Sequence, residues 1–378
     1  MPLRVAGAPD WHNDDAPSLL SPPMNRPPRR HLHDGIMLLL ITVMAGLAGC
    51  QRAPAVYQRE NYVFGTRVEI LVYGESESRA RAGVEAVLSE FDRLHRSLHA
   101  WQPSDLTALN EAIAAGRPDI PVSPELAVLL QDAQAIAERG EELFDPAIGR
   151  LIALWGFHND EFKPVVPPSG EIDALVRAKP RMSDLTIAGG LVSSRNRAVQ
   201  LDLGGYAKGY ALDRAAAILG AQGIGNALVN IGGNVLALGR KGERAWRVGI
   251  QHPRQAGALA SLELRDGEAI GTSGDYQRYF EVGGRRYSHL IDPRSGYPAA
   301  HTEAVTILVT PRPHAGTISD AASKPIFIGG PSDWRRLATK LGIDAVLRVD
   351  ADGRISVTAA LRSRLELEPG VAIAEVVP

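Results

Sequence analysis

Between positions 201 and 210 the chain reads Leu201-Asp202-Leu203-Gly204-Gly205-Tyr206-Ala207-Lys208-Gly209-Tyr210. An apolar run meets two glycines and then a helical pattern. Free N–H groups at a helix start form an anion site, and glycine lets backbone approach a phosphate closely. Lys208 adds a cation in the first turn. The spacing matches neither a Walker loop nor a Rossmann fingerprint. A tight strand–helix turn carrying a surface lysine would read the same way. Asn230-Ile231-Gly232-Gly233-Asn234 is a second glycine turn. Thr272-Ser273-Gly274-Asp275 offers hydroxyls and a carboxylate, suited to ligand contacts or to a plain polar turn. His289 lies beside Leu290 and Ile291, just before a Pro–Gly turn. A lone histidine there is more often structural than catalytic. Asp320 and Lys324 are four apart on a helical pattern and share a face, as they also would in a surface ion pair.

The elements that must position these residues follow from periodicity. Residues 63–73 are rich in β-branched and aromatic types and read as a strand. Residues 76–98 place Ala80, Val84, Val87, Leu88, Phe91, Leu94 and Leu98 at steps of mostly three and four, a helix. Ser104 caps a second helix, residues 123–139 form a third ending at Gly140, and residues 144–157 read as a fourth. A helix over 170–178 follows a proline-rich stretch. Residues 199–203 read as a strand leading into a helix over 206–222. Short strands then recur at 227–231, 235–238, 247–250, 258–264, 269–272, 278–282, 304–309 and 344–349, with helices at 314–324 and 333–341. Helices gather early and strands late. That predicts an α/β chain of the α+β kind, mixed sheets with flanking helices.

The chain has 378 residues, 45% hydrophobic and 22% charged, with a formal charge of −2. This is a globular composition, and the charge balance argues against nucleic acid. One cysteine excludes an intramolecular disulfide and a multi-cysteine zinc site. It sits in an informative place. Residues 1–36 are rich in Pro and Arg, and residues 37–48 form an apolar run. That run is shorter than the about 20 residues a membrane helix needs. With Arg26, Arg29 and Arg30 before it and Leu47-Ala48-Gly49-Cys50 after it, the run fits the core of a signal peptide. The order resembles the lipobox of bacterial lipoproteins, in which the cysteine is acylated. Met24 gives a more compact signal than Met1. The expected organisation is an extension and signal over 1–49, a lipid-anchored tether over 50–60, a folded domain over 61–365 and a tail over 366–378. Acylated Cys50 would hold the domain at the periplasmic face of a bacterial membrane, and the same resemblance implies the outer membrane, since Gln51 and not Asp follows the cysteine.

Taken in order, the motifs resemble those of the ApbE family of FAD:protein FMN transferases. They are Gly65-Thr66, Phe144-Asp145-Pro146 with Trp155-Gly156-Phe157, the 201–213 motif, the 230–234 turn, Thr272-Ser273-Gly274-Asp275-Tyr276, His289-Leu290-Ile291-Asp292-Pro293 and Ser319-Asp320-Ala321. The resemblance covers about residues 60–350 and implies one α/β domain that binds FAD and uses magnesium. It further implies transfer of FMN to a Thr or Ser hydroxyl of a target protein, with loss of AMP. Known targets are respiratory electron-transfer subunits, and some relatives instead hydrolyse FAD to FMN and AMP. A lipoprotein that binds FAD without turnover is the non-enzymatic alternative.

Carried over residue by residue, Asp320 matches a metal-binding aspartate and Gly205 a position that gives an oxygen ligand, here a backbone carbonyl. His289 becomes a ligand contact or the base for the incoming hydroxyl. Asp202, Lys208, Leu143, Phe144, Asp145, Thr272, Ser273 and Ile291 join the flavin- or nucleotide-contacting set, and Phe64 and Trp101 are candidates to pack against the rings. Phe64 stands where the family commonly has Met. Lys324 stands where it usually has a metal-ligating Thr, and a protonated amine cannot coordinate. Either the metal site is weaker and uses Asp320, Gly205 and water, or Lys324 itself pairs with the pyrophosphate and partly replaces a cation, which would make it a catalytic residue.

Overall fold

Thr66–Tyr73 buries Val68, Ile70 and Val72, every second side chain, as a strand covered on one face does. In the computed structural model, which describes residues 56–159 and 161–378, this strand belongs to one nine-stranded sheet. Its strands are β1 (Val56–Val63), β2 (Thr66–Tyr73), β3 (Ala227–Ile231), β4 (Asn234–Leu238), β5 (Ala269–Gly274), β6 (Thr302–Val309), β7 (Ala345–Asp350), β8 (Ile355–Thr358) and β9 (Glu375–Val377). They lie side by side in chain order. Neighbours run antiparallel except β9, which is parallel to β8. Strand β6 is buried at all eight positions, so both sheet faces are covered there.

The described helices are α1 (Glu77–Ser97), α2 (Asp105–Ala114), α3 (Pro124–Arg139), α4 (Gly149–Leu154), α5 (Ser169–Ala178), α6 (Ala207–Ala221), α7 (Ala315–Ala321), α8 (Ser323–Leu341) and, beyond β8, the short α9 (Ala359–Arg362). Most share one core with one face of the sheet, while α4 and α5 join a separate cluster and Leu361 of α9 packs on the other face. Apolar stripes of α1, α3, α6 and α8 share one core with Val229, Ile231, Val305 and Ile307 of the sheet. On the other face, Ile270, Leu308 and Leu347 meet a three-stranded sheet made of Trp246–Gln251, Ala258–Leu264 and Glu366–Leu367. A third cluster joins Trp155, Phe157 and Ile172 to Phe280 of a small hairpin, Tyr279–Val282 with Arg285–Ser288. Ser76, Ser104 and Ser123 cap α1, α2 and α3 through side-chain oxygens that accept backbone N–H groups.

Several sequence expectations shift. The strand over 63–73 is a hairpin whose turn residues, Phe64 and Gly65, both have positive φ (55 and 67). Such turns usually advertise themselves by Asn-Gly or Asp-Gly, and this one does not. Strand β1 starts at Val56, inside the stretch read as tether, and pairs with β2 along its whole length. Within 366–378, read as a tail, Glu366–Leu367 and β9 both join sheets. The fourth helix is only α4, because Asp145 folds the chain before it into a turn. Residues 199–203 form no strand and make one bridge, Gln200 to Ile148. The two helices expected over 314–341 divide elsewhere. Helix α7 ends at Ala321, and α8 runs to Leu341 across a kink at Gly330 (φ 67), where Pro331 supplies no N–H. The apolar run, the basic residues before it and Cys50 lie outside the described residues. No helix among the described residues is long and apolar enough to cross a membrane.

Candidate active site

The site begins where α6 and α7 touch. A Cβ on Gly209 would lie 2.5 Å from the Gly316 carbonyl oxygen, so only glycine permits this approach. Below them, Gly271 of β5 leaves no room for a side chain against the Ser319 carbonyl. Asp213, two turns into α6, accepts hydrogen bonds from the Gly316 and Thr317 N–H groups (both 2.8 Å) and the Thr317 hydroxyl (2.6 Å). These bonds satisfy the first turn of α7, whose preceding residue His314 provides no side-chain cap. Burial pushes the Asp213 carboxyl above its ordinary range. Asp213 closes the 201–213 motif, yet its type alone gave no sign that it would hold another helix.

This contact delivers Asp320 to the start of α6. Asp320 is 1% exposed, and its Oδ2 accepts from the Gly209 N–H at 3.0 Å. Its Oδ1 takes the Lys324 ammonium at 2.7 Å and lies 3.6 Å from the Lys208 ammonium. Lys324 also donates to the Asp320 carbonyl oxygen at 2.7 Å, and Lys208 donates to the Gly204 carbonyl at 3.1 Å. Burial opposes charge on Asp320, but Lys208 and Lys324 outweigh it and hold the carboxyl below its usual range. Burial, with the Lys208 charge nearby, lowers Lys324 to about 8, so its ammonium stays charged at neutral pH. The stem of Lys324 passes over Gly205. A Cβ there would sit 2.7 Å from Lys324 Cε and 2.8 Å from Phe144 Cε2. The Phe144 ring centroid is 6.0 Å from the Lys324 nitrogen.

His289 feels the same charges. Burial, Arg278, Lys208 and Lys324 hold its ring neutral, with a pKa lowered to about 3. Its Nδ1 is 3.2 Å from the Arg278 carbonyl. A carbonyl only accepts, so Nδ1 carries the proton and Nε2 keeps a lone pair. Gly205, Lys208, His289, Asp320 and Lys324 therefore share one electrostatic neighbourhood. Arg278, which the sequence reading passed over, donates to the Phe157 and Asn159 carbonyls (both 3.0 Å) and ties the His289 loop to the aromatic cluster.

The other expected residues divide. Asp202 lies at the glycine turn, accepting from the Gly204 N–H at 2.8 Å and from the Trp101 indole at 3.1 Å. Trp101 is thereby drawn to the same edge. Ser273 bonds Ser323 at 2.7 Å, directly behind Asp320. Thr272 points to the opposite sheet face and pairs with Thr306. Strand alternation separates these two neighbours, which the sequence reading had grouped. Asp145 bonds the Ala147 and Met182 N–H groups, and burial raises it to about 7. It shapes the 143–148 loop that presents Leu143 and Phe144. Ile291 is buried in the third cluster, bridged to Pro298. Phe64 packs against Phe91 and His95 at the end of α1.

A divalent cation prefers oxygen ligands. Here both Asp320 oxygens already face N–H or ammonium donors. Among the described residues, no group of three or more His, Cys, Asp or Glu side chains is arranged around a metal position. As folded, this donor set does not fit a divalent cation on Asp320.

A glycine-opened helix start, two lysines and a buried carboxylate define an α/β domain built to hold anionic groups. The ApbE family model matches residues 64–347, and the chain belongs to that family. An FAD:protein FMN transferase from Rhodobacter capsulatus is 43% identical over 343 residues, 90% of this chain. This chain spans 65% of that relative's length. One of the same name from Treponema pallidum is 32% identical, covering 87% of this chain and 94% of its own. The crystal structure of the ApbE protein from Thermotoga maritima shares the fold, with a TM-score of 0.74 and 31% identity over 82% of this chain and 99% of that one.

Proposed function

We propose that this chain moves FMN from FAD onto a Thr or Ser hydroxyl of a target protein and releases AMP. The observation that carries the reading is the pairing of Lys208 and Lys324 around Asp320 at the glycine-opened start of α6. The hydroxyl oxygen attacks the FMN phosphorus and forms a new P–O bond. The pyrophosphate P–O bond breaks, and AMP leaves with its electron pair. Such a step needs charge stabilisation and positioning more than covalent help. In this reading the Gly204–Gly205 backbone admits the phosphates, and the lysines meet their charge. Phe144 and Trp101 wall the ring systems. His289 presents a neutral ring whose Nε2 lone pair contacts the ligand or takes the proton of the incoming hydroxyl once the phosphates offset the lysine charges. No step here runs through magnesium, because Lys324 stands on Asp320 where the ion would bind.

Incubation of the purified domain with FAD and a Thr-containing acceptor peptide tests this. A fluorescent peptide with an equivalent of AMP is expected. Free FMN and AMP with unmodified peptide would replace transfer by hydrolysis, and intact bound FAD would leave only a flavin-binding protein. The reading extends to place. Acylated Cys50 would tether the domain at the periplasmic face of the outer membrane, near respiratory electron-transfer subunits that could serve as acceptors. Cys50→Ser should move the protein to the soluble fraction, and persistent membrane association would end the anchor assignment.

A further inference from the structure

We infer that the Lys324 ammonium is a built-in cation, and that this site holds a dinucleotide's phosphates with Lys208 and Lys324 and without a divalent ion on Asp320. The inference rests on the transferase reading for the identity of the ligand, FAD. Lys324 is not a mobile surface lysine. It is 8% exposed, its nitrogen touches two oxygens of Asp320, and its stem lies against Gly205 and Phe144. Asp320 is committed in turn, with Gly209 on one oxygen and ammonium groups on the other. A cation entering here would have to displace an ammonium from its counter-charge. It would also meet the repulsion of Lys208. The two lysines outnumber the Asp320 carboxylate they surround, so one ammonium charge is left to meet a phosphate. That is what the pyrophosphate of FAD requires, and what the leaving AMP requires when it departs with the electron pair of the broken P–O bond.

Three measurements on the folded domain test the inference. The first is FAD affinity by flavin fluorescence in EDTA and in excess Mg²⁺. The second is calorimetric titration of Mg²⁺ alone into the protein. The third is AMP release in the presence of the acceptor peptide in both buffers. Wild type should bind FAD within about twofold in the two buffers, show no saturable Mg²⁺ heat, and release AMP in EDTA. Lys324→Met should weaken FAD binding in EDTA by about tenfold, the scale of one charge-assisted contact. Lys324→Thr should gain saturable Mg²⁺ heat. Saturable Mg²⁺ binding by wild type, with FAD binding lost in EDTA and restored by the ion, would overturn the inference whatever the variants do. If FAD binds equally in both buffers but no AMP appears in either, the transferase reading fails and the lysine assignment stands.

Discussion

Gly209 and Gly316 meet backbone to backbone. A Cβ on the first would lie 2.5 Å from the carbonyl oxygen of the second, and a Cβ on the second 2.7 Å from that of the first. Neither contact is to a side-chain tip that could swing away. Gly209→Ala should therefore cost about 1–3 kcal/mol, the usual range for overpacking. It should also push Asp320 off the Gly209 N–H. A urea midpoint unchanged from wild type would show that the helices part without strain.

Asp320→Ala leaves the Lys324 ammonium buried with no carboxylate beside it. Breaking a buried pair this way costs about 3–5 kcal/mol, whereas replacing both partners with neutral groups can be nearly neutral. The double variant Asp320→Asn/Lys324→Met should recover much of the lost stability without recovering FAD cleavage. Denaturant curves and AMP release, read together, separate the structural role of the pair from its chemical one.

Asp213 never touches the lysines, yet it caps the helix that carries Asp320. Asp213→Ala should lower stability by about 1–2 kcal/mol, as loss of a helix cap does. It should also weaken FAD binding, because α7 loses its anchor on α6. Full affinity in this variant would mean that β5 and the Gly209 contacts hold Asp320 in place without the Asp213 cap.

The pH dependence has a definite sign at His289. Its pKa is lowered from 6.5 to about 3, so the folded chain prefers the neutral ring. The stability this contributes is complete above about 6.5 and is lost as pH falls from there toward 3. His289→Gln should flatten that acid limb. Urea midpoints at pH 5 and 7.5 should differ less in the variant than in wild type, and an equal difference would show that His289 is not held neutral.

Much of this site was visible in the residues. The 201–210 segment announced a glycine turn opening a helix, and the i, i+4 spacing of Asp320 and Lys324 announced their contact. What could not be read was direction and partnership across the fold. Alternation on β5 sends Thr272 away from the site and Ser273 toward it, but a short polar run does not say which face is inside. Asp145 looked like a ligand contact, and the fold gives its carboxylate two backbone N–H groups to hold. Asp213 and Arg278 act through segments about a hundred residues away or more, and no local pattern carries that information. The hairpin at Phe64 was missed because a phenylalanine in the left-handed region is not a turn signal.

The nine strands of the main sheet lie in the order in which they are made. Gly205 and Lys208 come from the chain between β2 and β3, His289 from between β5 and β6, and Asp320 and Lys324 from between β6 and β7. Synthesis thus supplies the cofactor pocket in instalments. A growing polypeptide would complete most of the scaffold before its last ingredient, the segment bearing Asp320 and Lys324, emerged, and any fragment ending ahead of it would hold the glycine turn and Lys208 without the pair that completes the pocket.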